Sequence, residues 1–107
     1  MAVKILDKDN FEDTINSGKT VVVDFFATWC GPCKMMAPVL DELSGELSED
    51  KLIAKLDIDQ NVNLARKFSV MSVPTLVAFK NGKAVTKMVG LRPKEDVIEL
   101  LETASKA

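Results

Sequence analysis

Thr20-Val21-Val22-Val23-Asp24-Phe25-Phe26-Ala27-Thr28-Trp29-Cys30-Gly31-Pro32-Cys33-Lys34 decides the fold. Residues 20–27 carry β-branched and aromatic side chains on both parities. That pattern predicts a strand covered on both faces, as in the middle of a parallel sheet. Beyond Cys33, the apolar residues Met36, Leu40, Leu43 and Leu47 recur at helical spacing and predict a helix over 33–48. Pro38 falls inside it, where it removes the bond to the Lys34 carbonyl and kinks the axis. Residues 53–58, interrupted by Lys55 and Asp57, read as the next strand. Strand, helix and strand make a βαβ unit.

Working outward, residues 3–6 predict a short first strand. Asp9 and Glu12 are spaced as a capping box, with Phe11 and Ile15 one turn apart behind them and Gly18 as the stop. Residues 61–68 predict a short helix on Leu64 and Phe68. Residues 75–80 and 83–89 read as strands joined at Asn81-Gly82, the strongest hairpin signal in the chain. Pro93 suits the first turn of a last helix over 94–104, with Glu95 and Asp96 at its positive end and Val97, Leu101 and Ala104 facing inward. The order is β-α-β-α-β-α-β-β-α, an α/β fold in a single domain over 1–107, with no linker or repeat.

Of the 107 residues, 47% are hydrophobic and 28% charged, an ordinary globular composition. The 14 basic and 16 acidic residues leave a net charge of -2, which argues against nucleic acid as a default partner and against a polybasic membrane-binding surface on the chain. No run approaches the roughly 20 apolar residues that span a bilayer. The start of the chain lacks the pattern of a signal peptide, so a cytoplasmic protein is expected. The absence of histidine removes Ser-His-Asp triads, Cys-His pairs and most zinc sites.

What remains is sulfur chemistry. Cys30 and Cys33 stand where the strongest strand hands over to a helix. Free backbone N–H groups and the positive end of the helix dipole favour thiolate there. A thiolate attacks disulfides, and a second cysteine one turn later can resolve the mixed disulfide within the chain. Cys30 is assigned as nucleophile because it lies at the junction, expected to be exposed. Cys33 is the resolving thiol, drawn toward the core. Gly31 and Pro32 set the loop geometry. A structural disulfide and a metal pair are the alternatives; the metal reading lacks two further ligands in the chain.

Phe25 through Lys34 closely resembles the active-site segment of thioredoxins. The likeness runs the length of the chain through Asp24, Pro38, Lys55, Asp57, Ser72-Val73-Pro74-Thr75, Asn81-Gly82 and Gly90. It implies the thioredoxin fold: a central mixed five-stranded sheet in the order 1-3-2-4-5, flanked by four helices. The first three strands in that order would be parallel and the hairpin strands antiparallel to them. It also implies a reductase of protein disulfides that binds no flavin or nicotinamide and no metal. A flavoprotein thioredoxin reductase would recharge it from NADPH. Its clients would be protein disulfides such as those of ribonucleotide reductase and peroxiredoxins, and the chain is expected to be a monomer.

The resemblance assigns further roles. Asp24 would exchange a proton with Cys33, and Lys55 would tune Asp24 if the two are adjacent. Pro74 would follow a cis bond that brings the Val73 backbone opposite Cys30, where a client chain adds as a short strand. Trp29, with Gly31, Pro32, Val73, Gly90, Met71 and Leu91, would form an apolar collar for clients, and Pro74 and Thr75 would complete the substrate-binding set. A pairing role for Asp24, a solvated Lys55 and a plain strand-start Pro74 are the unspecialised alternatives. Two competing functions stand beside reduction: a binding module that needs neither cysteine, and a disulfide donor. Two positions depart from the common family pattern, Phe26 for Trp and Ser69 for Gly. Arg92 brings a cation near a helix start, where the dipole disfavours it.

Overall fold

The structure, a computed structural model, describes residues 2–107. Val21, Val22, Val23 and Phe25 are fully buried, so β2 (Thr20–Phe26) needs cover on both faces. It receives it at the middle of a five-stranded sheet, in the order β1 (Lys4–Leu6), β3 (Lys51–Asp57), β2, β4 (Thr75–Lys80), β5 (Lys83–Val89). The helices are α1 (Phe11–Ile15), α2 (Gly31–Ser44), α3 (Val62–Lys67) and α4 (Lys94–Ser105). β1, β3 and β2 are mutually parallel, and β2–β4 and β4–β5 are antiparallel. The hairpin expectation needs correcting here. Only β4 opposes the parallel strands, because β5, antiparallel to β4, points the same way as β2.

Strand parity divides the core in two. Val22, Ile53, Leu76 and Ala78 face α2 and α4, through Met36, Leu40 and Leu43 on one and Val97, Leu100, Leu101 and Ala104 on the other. Val21, Val23, Phe25, Ala54, Leu56, Val77 and Phe79 face α1 and α3. There Phe11, Phe68 and Phe79 pack ring to ring, with Phe11–Phe79 and Phe68–Phe79 edge-on at 5.7 and 5.1 Å. Asp24 has the parity of Val22 and therefore points under α2. Lys55 has the parity of Ile53 and lies on the same side, directly opposite Asp24 in the β2–β3 register.

Several boundaries differ from the sequence reading for identifiable reasons. The capping box is absent, because α1 begins after Asn10 without a side-chain cap. Asp7 takes the work expected of Asp9: its Oδ1 accepts from the N–H groups of Asp9 and Asn10 at 2.8 and 3.1 Å, while Asn10 Oδ1 accepts from the Asp7 N–H at 2.8 Å. α2 starts earlier, at Gly31, and stops at Ser44 rather than continuing to 48. Gly45 shares its N–H between the Asp41 and Glu42 carbonyls, which tightens the last turn and ends the helix. Leu47 still packs on the core from outside it. β3 starts at Lys51 because backbone pairing with Thr20 extends it beyond the apolar run.

The hairpin strands 75–80 and 83–89 stand as expected, with Asn81 and Gly82 at φ 53 and 80 in the left-handed turn that the pair favours. Pro93 is the cap residue of α4, one position before the first turn. Arg92 is explained by its partners. Its guanidinium lies 3.4 Å from the Asp96 carboxylate and donates to the Val89 carbonyl at 3.3 Å, so an acidic residue of the first turn offsets its charge.

Candidate active site

The site is built where β2 ends and α2 begins. Cys30 is the N-cap of α2, with extended backbone at φ -89 and ψ 116, and its Sγ accepts the Cys33 backbone N–H at 3.1 Å. A cap normally uses a Ser, Thr, Asp or Asn oxygen. Here sulfur occupies that position and takes the Cys33 N–H, while the Lys34 N–H goes to the Cys30 carbonyl at 3.2 Å. Pro32 sits in the first turn, where its missing N–H removes no helical bond. Cys30 and Cys33 are joined by a disulfide across a Cα–Cα distance of 5.2 Å.

The expected exposure of Cys30 does not hold in this oxidised form, since Cys30 is 4% and Cys33 5% exposed. The S–S bond covers each sulfur with the other, and Phe26, Ile58 and Val73 pack against the pair. The pair nonetheless lies outside both sheet-face cores. Its immediate neighbours Trp29, Gly31 and Pro32 are exposed.

The Val73-Pro74 peptide bond is cis, as the resemblance implied. It brings the Val73 carbonyl oxygen to 3.7 Å from Cys30 Sγ. The loop is held from both sides: the Gly90 N–H donates to the Pro74 carbonyl at 2.8 Å, and Thr75 Oγ1 donates to the Ser72 carbonyl at 2.7 Å. Pro74 and Thr75 are themselves buried, so Thr75 fixes the loop from beneath instead of facing outward. Gly90 has φ 91 with open space where a Cβ would point, so backbone conformation alone calls for glycine.

Of the residues expected to form the collar, Trp29, Met71 and Leu91 are exposed, at 68%, 92% and 43%. Trp29 is tethered by its indole N–H, which donates to Asp59 Oδ2 at 2.9 Å. Sequence reading missed Asp59. A lone aspartate in the turn after β3 carries no signal, because its partner is thirty residues away in the chain.

Beneath the disulfide is a cleft of about 220 Å³ lined by Asp24, Phe26, Ala27, Thr28, Cys33, Lys34, Ala37 and Lys55. Asp24 is 4% exposed, and its Oδ1 is buried without a hydrogen-bond partner. Burial raises its pKa from 3.8 to about 7, against the opposing pull of Lys55. Lys55 and Asp24 form no ion pair among the described residues; instead the Lys55 ammonium lies 5.8 Å from the centre of the Phe26 ring. The cation thus acts on Asp24 at a distance, and Phe26, where the family often has Trp, keeps an aromatic face for it. Among the described residues no group of three or more Asp, Glu, Cys or His is arranged to hold a metal. No helix among them is long and apolar enough to cross a membrane.

A redox-active Cys-x-x-Cys at a helix N-terminus, beside a cis-proline loop in a sheet of this order, defines a thiol-disulfide oxidoreductase. The thioredoxin family model matches residues 2–103. The chain is 53% identical to thioredoxin of Staphylococcus saprophyticus over 95% of its own length and 97% of that protein's. It is 51% identical to thioredoxin of Staphylococcus aureus, with 94% of each covered. A solved mutant thioredoxin from Halobacterium salinarum superimposes with a TM-score of 0.87 at 34% identity, covering 99% of this chain and 92% of the other. The chain belongs to the thioredoxin family. It reduces protein disulfides by dithiol-disulfide exchange through Cys30 and Cys33, and the cysteine pair is its redox group. Proteins of this family are typically reduced in turn by a thioredoxin reductase.

Proposed function

We propose that Cys30 is the attacking sulfur, Cys33 the resolving one, and Asp24 the group that takes the Cys33 proton. The observation that carries this is the Cys33 N–H directed at Cys30 Sγ, which stabilises negative charge on the first sulfur and not the second. In the dithiol, the Cys30 thiolate attacks one sulfur of a client disulfide, forming a mixed disulfide and expelling the other client sulfur as thiolate. Cys33 passes its proton to Asp24 across the shared cleft and attacks Cys30 Sγ. The second client thiolate leaves, and the Cys30–Cys33 disulfide remains. Lys55 keeps the Asp24 pKa from rising further, so the carboxylate is available near neutral pH.

Trp29, Met71, Val73, Gly90 and Leu91 supply the surface on which the client lies, with Gly31 and Pro32 leaving the approach to Cys30 open. Pro74 and Thr75 position Val73. The exposed apolar character of that surface suits many clients, among them the disulfides of ribonucleotide reductase and peroxiredoxins. Two electrons from NADPH, delivered by a flavoprotein thioredoxin reductase, restore the dithiol. Such a dithiol stays reduced where that supply reaches it, which fits the cytoplasm. The whole of 1–107 acts as one domain and one monomer.

Trapping and turnover test this together. With NADPH and thioredoxin reductase, the chain reduces insulin and Cys30→Ser does not. Cys33→Ser accumulates a covalent client adduct that dithiothreitol releases, and Cys30→Ser accumulates none. Equal trapping by the two variants contradicts the assigned order.

A further inference from the structure

Two methionines stand exposed near the disulfide, Met71 at 92% and Met35 at 63%, whereas Met36 is fully buried and Met88 packs on the core. Met71 opens the short stretch that leads to Val73. Two residues of chain span at most about 7 Å, and the Val73 carbonyl lies 3.7 Å from Cys30 Sγ. Met71 is the most solvent-accessible apolar side chain on the surface assigned to clients, two residues along the chain from Val73 in a loop anchored through Thr75 and Gly90. A thioether there has no packing role in the fold to protect.

We propose that Met71 is an oxidation site whose conversion to methionine sulfoxide weakens capture of protein disulfides while leaving the sulfur exchange itself intact. The inference rests on the client surface proposed above. The step balances with a hydroperoxide as oxidant: the peroxide O–O bond breaks, one oxygen joins Met71 Sδ, and the sulfur gives up two electrons. Hydrogen peroxide leaves as water, an alkyl hydroperoxide as the alcohol. The product is a polar S=O group where a flexible apolar side chain stood. Desolvating it against a client's apolar chain is unfavourable. A small aromatic disulfide that reaches Cys30 without crossing the loop does not encounter it.

The test treats the chain with hydrogen peroxide while the Cys30–Cys33 disulfide is closed, so that neither cysteine is a free thiol. The chain is then reduced with dithiothreitol and desalted. Peptide mapping locates added oxygen, and kcat/KM is measured for insulin and for a small aromatic disulfide. Met71 gains oxygen ahead of Met36 and Met88. Insulin reduction falls about fourfold, the loss that roughly one buried methylene's worth of affinity corresponds to, and the small disulfide is reduced as before. Each variant is compared with its own untreated form: the fall persists in Met35→Leu and disappears in Met71→Leu. Modification of the buried methionines first overturns the proposal. So does an unchanged rate for insulin, an equal loss for both substrates, or a fall that survives in Met71→Leu. Untreated chain that reduces the small disulfide but not insulin overturns the client-surface reading, and the proposal with it.

Discussion

Burial and Lys55 act on Asp24 in opposite directions, and burial wins, leaving its pKa at about 7. The stability of the protein must then depend on pH in a definite sense. Between pH 3.8 and about 7 the folded chain holds a proton that the unfolded chain has released. The stability that proton supplies is complete below 3.8 and is lost as pH rises toward about 7, at about 1.4 kcal/mol per pH unit where the difference is full. Asp24→Asn removes this dependence. In urea denaturation of the disulfide form, the wild type loses stability over that window and Asp24→Asn does not, and at about pH 8 the variant is the more stable. Parallel pH profiles for the two chains contradict the assignment. A buried acid at Asp24 was legible because residues 20–27 read as a strand covered on both faces. Asp59 was not, because the geometry that joins it to Trp29 exists only after β3 and α2 are placed.

The end of α3 illustrates what an element reveals only in three dimensions. Phe68 caps the helix, the Ser69 N–H returns to the Arg66 carbonyl at 3.1 Å, and the Val70 N–H reaches the Ala65 carbonyl at 3.0 Å. These are the two bonds of a Schellman ending, and they put Ser69 at φ 56, the position where glycine is usual. A side chain there pays a steric penalty of about 1–2 kcal/mol, part of which glycine's greater freedom in the unfolded chain cancels. Ser69→Gly should therefore stabilise by about 0.5–1 kcal/mol, read as a higher urea midpoint at unchanged slope. A lower midpoint contradicts it. At the hairpin the opposite substitution fails: Gly82→Ala meets the Asn16 side chain and keeps φ 80, so its midpoint falls. The Asn81-Gly82 turn was legible because its chemistry is local. The cap of α1 and the end of α2 were not, because Asp7 and Gly45 act through backbone groups that side-chain periodicity does not record.

At the scale of the molecule, one sheet separates two cores and delivers three chain segments to one edge of the cysteine pair: the end of β2, the loop before β4 and the residues after β5. Apolar runs on both parities made a central β2 legible. Strand order was not legible from periodicity, since hydrophobic pattern tells how a strand is covered and not which strand lies beside it; it came from whole-chain resemblance. The same order puts Lys55 opposite Asp24 and the Val73 carbonyl against Cys30, so the site's electrostatics follow from topology as well as from residue type. All of it serves one sulfur. Ultraviolet thiolate absorbance of the reduced chain against pH, with Cys33→Ser to isolate Cys30, reads that sulfur directly. The Cys30 thiolate forms well below the value of about 8.5 for an unperturbed thiol; titration at or above that value contradicts stabilisation by the α2 N-terminus.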